Sequence, residues 1–256
     1  RNIVVAGSHG KTTTTSLISA IFSKTKFDPT IINGGVLNSF NNSAKLGKGD
    51  WCILESDESD GSFVKLSPTY SIITNVDQEH MDYYKNMDSL KELFIKFIKK
   101  TPSFGKSFIC ADDADLKSII NKYKTGNFLT YGFSNKSNYQ ILNVIKKINY
   151  SVFDLKINVI GAKVKKIKKL QVNLLGEHNI KNATASIALA LNLGIKIDII
   201  KKALKKFSGI QRRFTKVFSI DNRDFYDDYA HHPTEIKAVI NSARQVYTDR
   251  KIICVF

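Results

Sequence analysis

Gly7-Ser8-His9-Gly10-Lys11-Thr12-Thr13 is a run in which backbone and side chains could jointly hold a polyphosphate. Two glycines let peptide N–H groups approach closely, and a helix beginning after Gly10 adds positive potential. Lys11 supplies a mobile cation and Thr12 a hydroxyl for Mg²⁺. A full P-loop would carry a further glycine at Val5, so this is a shortened variant, and a glycine turn without a ligand is the competing reading. A second chemical segment is Glu55-Ser56-Asp57-Glu58-Ser59-Asp60, four carboxylates in six residues. Their mutual repulsion is relieved if a cation sits among them, and Mg²⁺ shared with phosphates is the economical choice. Asp77 and His80 follow a third apolar run; alone, His80 reads equally well as a structural histidine.

Three later segments carry polar groups at element ends. Asn179 and Asn182, just after Gly176, share one face of a helix and could bond an adenine edge or simply cap the helix. Gln211-Arg212-Arg213-Phe214 offers a guanidinium fork suited to phosphate. Asp227-Asp228-Tyr229-Ala230-His231-His232-Pro233 ends a strand and opens a helix, with paired histidines that could ligate a metal.

These groups need elements to position them. Ile3–Ala6 reads as a buried parallel strand, and Leu17, Ile18, Ile21 and Phe22 mark the helix that follows. Thr12 to Thr15 are poor helix formers, so something other than propensity places them. Residues 50–55 and 70–75 read as further buried strands. Their carboxyl ends would bring Gly7, Glu55, Asp77 and His80 to one edge of an open sheet, where such sheets bind ligands. Residues 33–49, rich in Asn, Gly, Ser and Lys, read as a mobile loop. Helices are expected from Ser89 to Lys100, from Asn179 to Leu193 with Gly194 closing it, after an N-cap at Asp198, and from about Thr234 to Val246. Between Tyr139 and Leu175 the period is two, which predicts antiparallel strands added to the parallel core. Lys251–Phe256 reads as a last strand. A domain boundary is placed near Ile210.

With 256 residues, 43% apolar and 24% charged, the chain is long enough for one large or two medium domains. No apolar run approaches a membrane span, and no leader precedes Ile3, which points to the cytoplasm. Cys52, Cys110 and Cys254 stand singly in apolar runs, the pattern of core cysteines in a reducing compartment. The net charge of +16 could serve nucleic acid. Lysines scattered over solvated faces are the simpler reading, because those at 201–206 lie opposite an apolar helix face, so no nucleic-acid partner is expected. Arg1 and the terminal strand suggest a piece of a longer protein.

The order ESDESDGSF, TNVDQEHMDYY, GEHNIKNATA, QRRF and DDYAHHPTE resembles the Mur ligases, ATP-dependent carboxylate–amine ligases of peptidoglycan precursor synthesis. The resemblance runs over nearly the whole chain. It implies α/β architecture: a P-loop-type parallel-sheet central domain with an antiparallel addition over 1–210, then the beginning of a Rossmann-like domain over 211–256. A separate UDP-binding domain would be absent from this segment. Within the family the resemblance favours the branch that joins L-alanine to UDP-N-acetylmuramate through an acyl phosphate, with ATP and Mg²⁺ as cofactors. Other muropeptide ligases and folylpolyglutamate-type ligases are the alternatives inside this chemistry, and a P-loop switch or nucleic-acid-binding ATPase the alternative outside it. The 256 residues alone are expected not to ligate.

By the same resemblance Gly7, Ser8, His9, Gly10, Lys11, Thr12 and Thr13 form the phosphate loop, with Lys11 on the β- and γ-phosphates. Thr12 and Glu55 ligate a first metal and His80 a second. Asn182, with His178 and Asn179, belongs to the adenine side, Arg213 contacts phosphate from the domain junction, and Asp228 contacts the nucleotide. Tyr229 and His231 fall near the substrates. Lys11, His80 and Arg213 are the expected catalytic groups. Ser8, usually Thr, and Ala230, often Gly, depart from the pattern.

Overall fold

Ile3, Val4, Val5 and Ala6 have no solvent exposure, so both faces of their strand are covered, as a continuous apolar run predicts. The computed structural model describes residues 1–122, 127–159 and 163–255. From the N-terminal end the elements are β1 (Asn2–Ala6), α1 (Lys11–Phe22), β2 (Thr30–Leu37), β3 (Asn42–Lys45), β4 (Cys52–Glu55), a 3₁₀ turn at Ser62–Lys65 and β5 (Tyr70–Ile73). Next come α2 (Met81–Tyr84), α3 (Met87–Lys99), β6 (Lys106–Cys110), α4 (Ala114–Lys122) and β7 (Phe128–Gly132). They are followed by β8 (Tyr139–Lys146), β9 (Ser151–Ile157), β10 (Lys165–Val172), α5 (Glu177–Asn192) and α6 (Ile197–Lys205). A hairpin of β11 (Thr215–Ile220) and β12 (Arg223–Asp227) leads into α7 (Pro233–Val246).

The large sheet has the order β10-β9-β8-β7-β6-β5-β1-β4-β2-β3. Neighbours from β2 to β8 pair in parallel. The edge strands β3, β9 and β10 pair antiparallel. This is the expected parallel sheet with an antiparallel addition, and β11 and β12 form the separate small sheet. The chain leaves β1 for β2 on one side and later builds β5, β6 and β7 on the other. The carboxyl ends of β4, β1 and β5 therefore meet where the winding reverses, the crevice in which open α/β sheets bind ligands.

The threonines of α1 have a packing reason. Thr12 to Thr15 are buried, and α1 lies against α5, whose facing stretch is the small-residue run Ala183 to Ala190 interrupted only by Ile187 and Leu189. Small side chains let two helices approach closely, and Ser186 Oγ reaches the carbonyl of Thr14 across the seam at 3.4 Å. Behind the acidic segment, the Phe63 ring packs on Phe94 and Phe97 at centroid distances of 5.0 and 5.2 Å. Aromatic pairs of this kind add about 0.5–1.5 kcal/mol each beyond their burial. They anchor the loop that carries Glu58.

Several expectations are corrected. Residues 33–49 are not simply a loop: β2 runs through Gly34 and Gly35 to Leu37, and β3 returns beside it. Asn33, read as loop composition, is buried and donates to Ser16 Oγ at 3.1 Å and the Gly35 carbonyl at 2.9 Å. The N-cap of α6 is Lys196, not Asp198, which lies in the first turn and there complements the helix dipole. Gly194 does follow α5 with φ 76°, the left-handed position that ends helices. No strand forms over 251–255, where Ile253 and Val255 are exposed and lack a neighbouring edge; Phe256 lies outside the described residues. Cys110 is buried, but Cys52 is only half-buried and Cys254 is exposed.

Candidate functional site

Gly7 and Gly10 have φ of 127° and 82°, left-handed values that cost side-chain-bearing residues strain. A Cβ on Gly7 would fall 2.2 Å from Thr74 Oγ1, and one on Gly10 would fall 2.8 Å from Asn182 Oδ1. The loop is thus clasped between β5's end and α5. The Ser8 and His9 N–H groups donate to the carbonyl and side-chain oxygens of Asn75 at 3.2 and 2.8 Å. Thr74 Oγ1 and Asn75 Nδ2 both donate to the His9 carbonyl, at 2.6 and 3.0 Å.

At the start of α1 the two expected ligand side chains meet one carboxylate each. Lys11 Nζ lies 3.0 and 2.8 Å from the two oxygens of Glu58, whose side chain is only 2% exposed. Burial pushes the Glu58 carboxyl up, and the Lys11 ammonium offsets only part of that. Thr12 Oγ1 donates to Glu55 Oε1 at 2.9 Å, while Gly34 N donates to Oε2 at 2.7 Å. The hydroxyl and carboxylate expected to share a first metal are therefore adjacent. His80 does not join Asp77 as its position in the chain suggested. It has φ 57° at the start of α2 and turns its Nε2 toward Glu58, 3.9 Å away. One ligand atom from each of Asp57, Glu58 and His80 lies within 4.8 Å of the others.

Asp77 instead accepts from His9 Nε2 at 3.0 Å and from Thr234 Oγ1 at 2.7 Å. His9 Nδ1 is 3.5 Å from Glu235 and 3.8 Å from Glu79. Burial opposes charge on the His9 ring, but hydrogen bonds to Glu235 and Asp77 and the nearby Glu79 charge outweigh it and raise its pKa. Glu235 is also pushed up by burial, yet His9 and Arg213 outweigh this and bring it to about 2. The N-terminal end of α7 is thereby docked on the loop between β1 and α1. Sequence reading missed Glu79 and Glu235 because each is an ordinary surface carboxylate in its own segment.

A cavity of about 820 Å³ opens beside the loop, within the size range of small-molecule sites. His9, Gly10, Thr13, His178, Asn179, Asn182, Arg213 and Asp228 all line it. Asn182 is held against Gly10, its Nδ2 3.3 Å from Asn179 Oδ1, and Asn179 Nδ2 donates to the Leu175 carbonyl at 2.8 Å. Asp228 accepts from Phe214 N at 2.6 Å and Ala230 N at 2.8 Å; burial raises its pKa despite both bonds. Tyr229 and His231 are exposed, and Arg212 and Arg213 lie over the Tyr229 ring at 4.9 and 5.7 Å. The segment Gln211–Phe214 is not extended, since Arg212 and Phe214 have φ of 56° and 49°. The two arginines share the Tyr229 ring but pair with different carboxylates, Arg212 with Asp227 at 3.4 Å and Arg213 with Glu235 at 3.8 Å.

His178 titrates near 4 rather than 6.5, first because it is enclosed in the cavity wall and then because Lys181 and Arg213 repel its charged form. The unfolded chain takes up this proton at the higher pH, so stability is full above 6.5 and declines as the pH falls towards 4. The expected loss is about 1–3 kcal/mol, read as denaturant midpoints at both ends of that window. His178→Gln should flatten that part of the profile; an unchanged slope would assign it elsewhere.

The profile of the Mur ligase middle domain matches residues 5–190, and that of the Mur ligase glutamate ligase domain matches residues 212–256. A UDP-N-acetylmuramate–L-alanine ligase of Pelagibacter ubique is 61% identical over 256 residues, all of this chain and 55% of that protein. Its counterpart in Roseobacter denitrificans is 38% identical over 254 residues, 99% of this chain and 53% of that protein. The crystal structure of the UDP-N-acetylmuramate–alanine ligase MurC of Thermotoga maritima superposes with a TM-score of 0.83 at 29% identity, over 97% of this chain and 55% of that one. The chain thus spans about half the length of these relatives. With the middle-domain profile matching residues 5–190 and the fold superposing on a solved relative over 97% of the chain, the chain belongs to the Mur ligase family.

Proposed function

We propose that this chain carries the ATP-binding core of an enzyme that joins L-alanine to UDP-N-acetylmuramate. In this reading residues 1–210 form the central domain and residues 211–256 begin the next. The observation that carries it is the pair of carboxylate contacts at the start of α1. Lys11 on Glu58 and Thr12 on Glu55 are groups held ready by partners that an incoming nucleotide and its metal would take over. The alanine assignment follows the activity named for the two relatives above.

Hard oxygen donors suit Mg²⁺, and the converging Thr12 hydroxyl and Glu55 carboxylate fit that requirement. His80, beside Asp57 and Glu58, is the candidate for the second ion. When bound, Mg²⁺ supplies charge neutralisation at the phosphates. The protein's own part is positioning. Backbone N–H groups at the α1 start and Lys11 hold the β- and γ-phosphates, while Asn179, Asn182 and His178 line the adenosine end of the cavity. Arg213 and Asp228 line the same cavity, Arg213 beside Glu235. The UDP-N-acetylmuramate carboxylate attacks the γ-phosphorus, the bond to the β,γ-bridging oxygen breaks and ADP leaves, and Lys11 and Arg213 stabilise the charge that develops. L-alanine, as the neutral amine, displaces phosphate from the acyl phosphate. Tyr229 and His231, exposed beside this wall, are placed for the substrates. In this reading the reaction takes place in the cytoplasm.

The test is phosphate release by the complete protein, dependent on both UDP-N-acetylmuramate and an amino acid. L-alanine should give the highest kcat/KM in a panel with glycine, L-serine and D-glutamate; preference for D-glutamate would refute the assignment. The 256-residue chain alone should bind Mg-ATP and release no alanine-dependent phosphate. Glu55→Gln should raise the Mg²⁺ concentration for half-maximal turnover by about tenfold or more, and Glu58→Gln far less. Equal shifts would mean the strand-end carboxylate is not the first ligand.

A further inference from the structure

We propose a further metal-binding position, separate from the Thr12–Glu55 site and from the cluster at His80: a zinc-class cation site made by His9, Glu79 and His232. These residues come from three segments, the phosphate loop, the turn after β5 and the N-cap of α7. One ligand atom from each lies within 4.8 Å of the others. Glu79 Oε1 is 3.8 Å from both His9 Nδ1 and His232 Nδ1, and the two imidazole rings are tilted at a centroid distance of 5.0 Å. Ligands bound tetrahedrally at zinc distances stand about 3.3–3.5 Å apart. The two Glu79 edges are therefore a few tenths of an ångström too long, and the third, between the two histidines, lies within 4.8 Å.

Two features separate this cluster from an ordinary group of polar side chains. First, His9 is oriented as metal-bound histidines are. Its Nε2 meets Asp77 Oδ2 at 3.0 Å, and Asp77 is itself fixed by Thr234 Oγ1 at 2.7 Å. A carboxylate on the distal nitrogen orients the ring, and the ion takes Nδ1 in place of its proton and of the hydrogen bond to Glu235. Second, the donor set is mixed and enclosed. The side chains of His9, Glu79 and His232 are 13%, 13% and 24% exposed, and Glu235 stands 3.5 Å from the same His9 nitrogen. Two imidazoles with a carboxylate suit Zn²⁺ or Co²⁺, whereas Mg²⁺ prefers oxygen alone. The competing contact at His232 is a long cap bond, with Thr234 N 3.4 Å from Nδ1, and the ion replaces it.

An ion here staples the start of α7 to the phosphate loop, so its presence resists separation of those two parts. The test titrates the metal-free 256-residue chain with Zn²⁺ and Co²⁺ in excess Mg²⁺, which occupies the oxygen-donor site. Expected are one Zn²⁺ per chain, a raised Tm, and with Co²⁺ the intense visible bands of tetrahedral nitrogen and oxygen ligation. Glu79→Gln and His232→Asn should each weaken binding by at least about tenfold, and Asp77→Asn by about 10–100-fold through His9. His232→Asn retains a good helix cap, so the fold survives the substitution. Glu55→Gln should leave zinc affinity unchanged. Binding that survives His232→Asn and Glu79→Gln, or that disappears in His80→Ala while persisting in His232→Asn, overturns the proposal. The second outcome would place the ion at Asp57, Glu58 and His80. Failure to bind Zn²⁺ at all also overturns it.

Discussion

Lys11→Met in the complete enzyme should lower turnover by at least about two to three orders of magnitude, the loss typical of removing one aimed charge donor. The same substitution should also destabilise the fold, for a reason separate from catalysis. Glu58 is 2% exposed, and Lys11 is the cation facing it at 2.8 Å. Methionine keeps the stem of Lys11 but leaves Glu58 buried with only the more distant His80 ring, 3.9 Å away, beside it, a defect that costs about 3 kcal/mol. Tyr84 donates its hydroxyl to the Glu58 carbonyl from below, so the segment has little room to swing the carboxylate into water. The double variant Lys11→Met with Glu58→Gln separates the two effects. Stability should return to within about 1 kcal/mol of the parent, while turnover stays low. Recovery of turnover would mean that Lys11 acts by neutralising Glu58 and not by meeting phosphate. A single variant as stable as the parent would mean that Glu58 relaxes and that the pair is incidental.

This pairing also marks how far the sequence could be read. Gly7, Gly10, Lys11 and Thr12 announce a phosphate loop by local geometry alone, because their glycines and helix start are contiguous. Glu55 was legible for a similar reason: a charged residue closing an apolar strand has one place to go in a parallel sheet. The strand-end position singled out Glu55 from the acidic segment, but the pairing of Glu58 with Lys11 was not legible. That pairing depends on Phe63 packing under Phe94 and Phe97, which fixes the loop's path. The group around His9 was legible only in part: sequence places Asp77 at the same sheet edge and offers the paired histidines as possible metal ligands, but not Glu79, Glu235 or the contact between the segments. Its members come from positions 77 to 79 and 232 to 235 as well as the loop, and no local period records a contact over that separation. The same limit explains the misread stretch 33–49. Its glycines and asparagines look like a loop, yet Gly34 lies against Glu55, where a Cβ would fall 2.8 Å from the carboxylate. Glycine there gives Glu55 room beside a strand. At the other end, Ile252 to Val255 has strand composition, but composition cannot supply the neighbouring edge that a strand needs.

Arg213→Lys should lower turnover by about one to three orders of magnitude while ATP affinity stays within several-fold of the parent. Arg213 lines the wall of the cavity facing the phosphate loop, with Nη1 3.8 Å from Glu235 Oε1 and its guanidinium above Tyr229. Glu235 in turn touches His9 of the loop. The guanidinium thus reaches the loop through the same docking contacts that hold α7 in place, and it lies just beyond Ile210, which bridges to Leu37 of β2. Its charge is delivered by how the residues after Ile210 sit on the sheet. A group that depends on that docking stabilises the docked, reacting arrangement more than a nucleotide bound to the loop alone. Lysine keeps the charge and loses both the planar fork and the stacking on Tyr229, so the change isolates geometry from charge. Arg212→Lys is the internal comparison. Arg212 also overlies Tyr229, but its side chain is 58% exposed and paired to Asp227 away from Glu235, so its substitution should change turnover by less than about threefold, as exposed ion pairs contribute little. Steady-state turnover at saturating ATP, set beside nucleotide affinity measured by calorimetry, decides the matter. If affinity collapses in Arg213→Lys while saturated turnover survives, Arg213 is a ground-state phosphate ligand and docking does not govern its action.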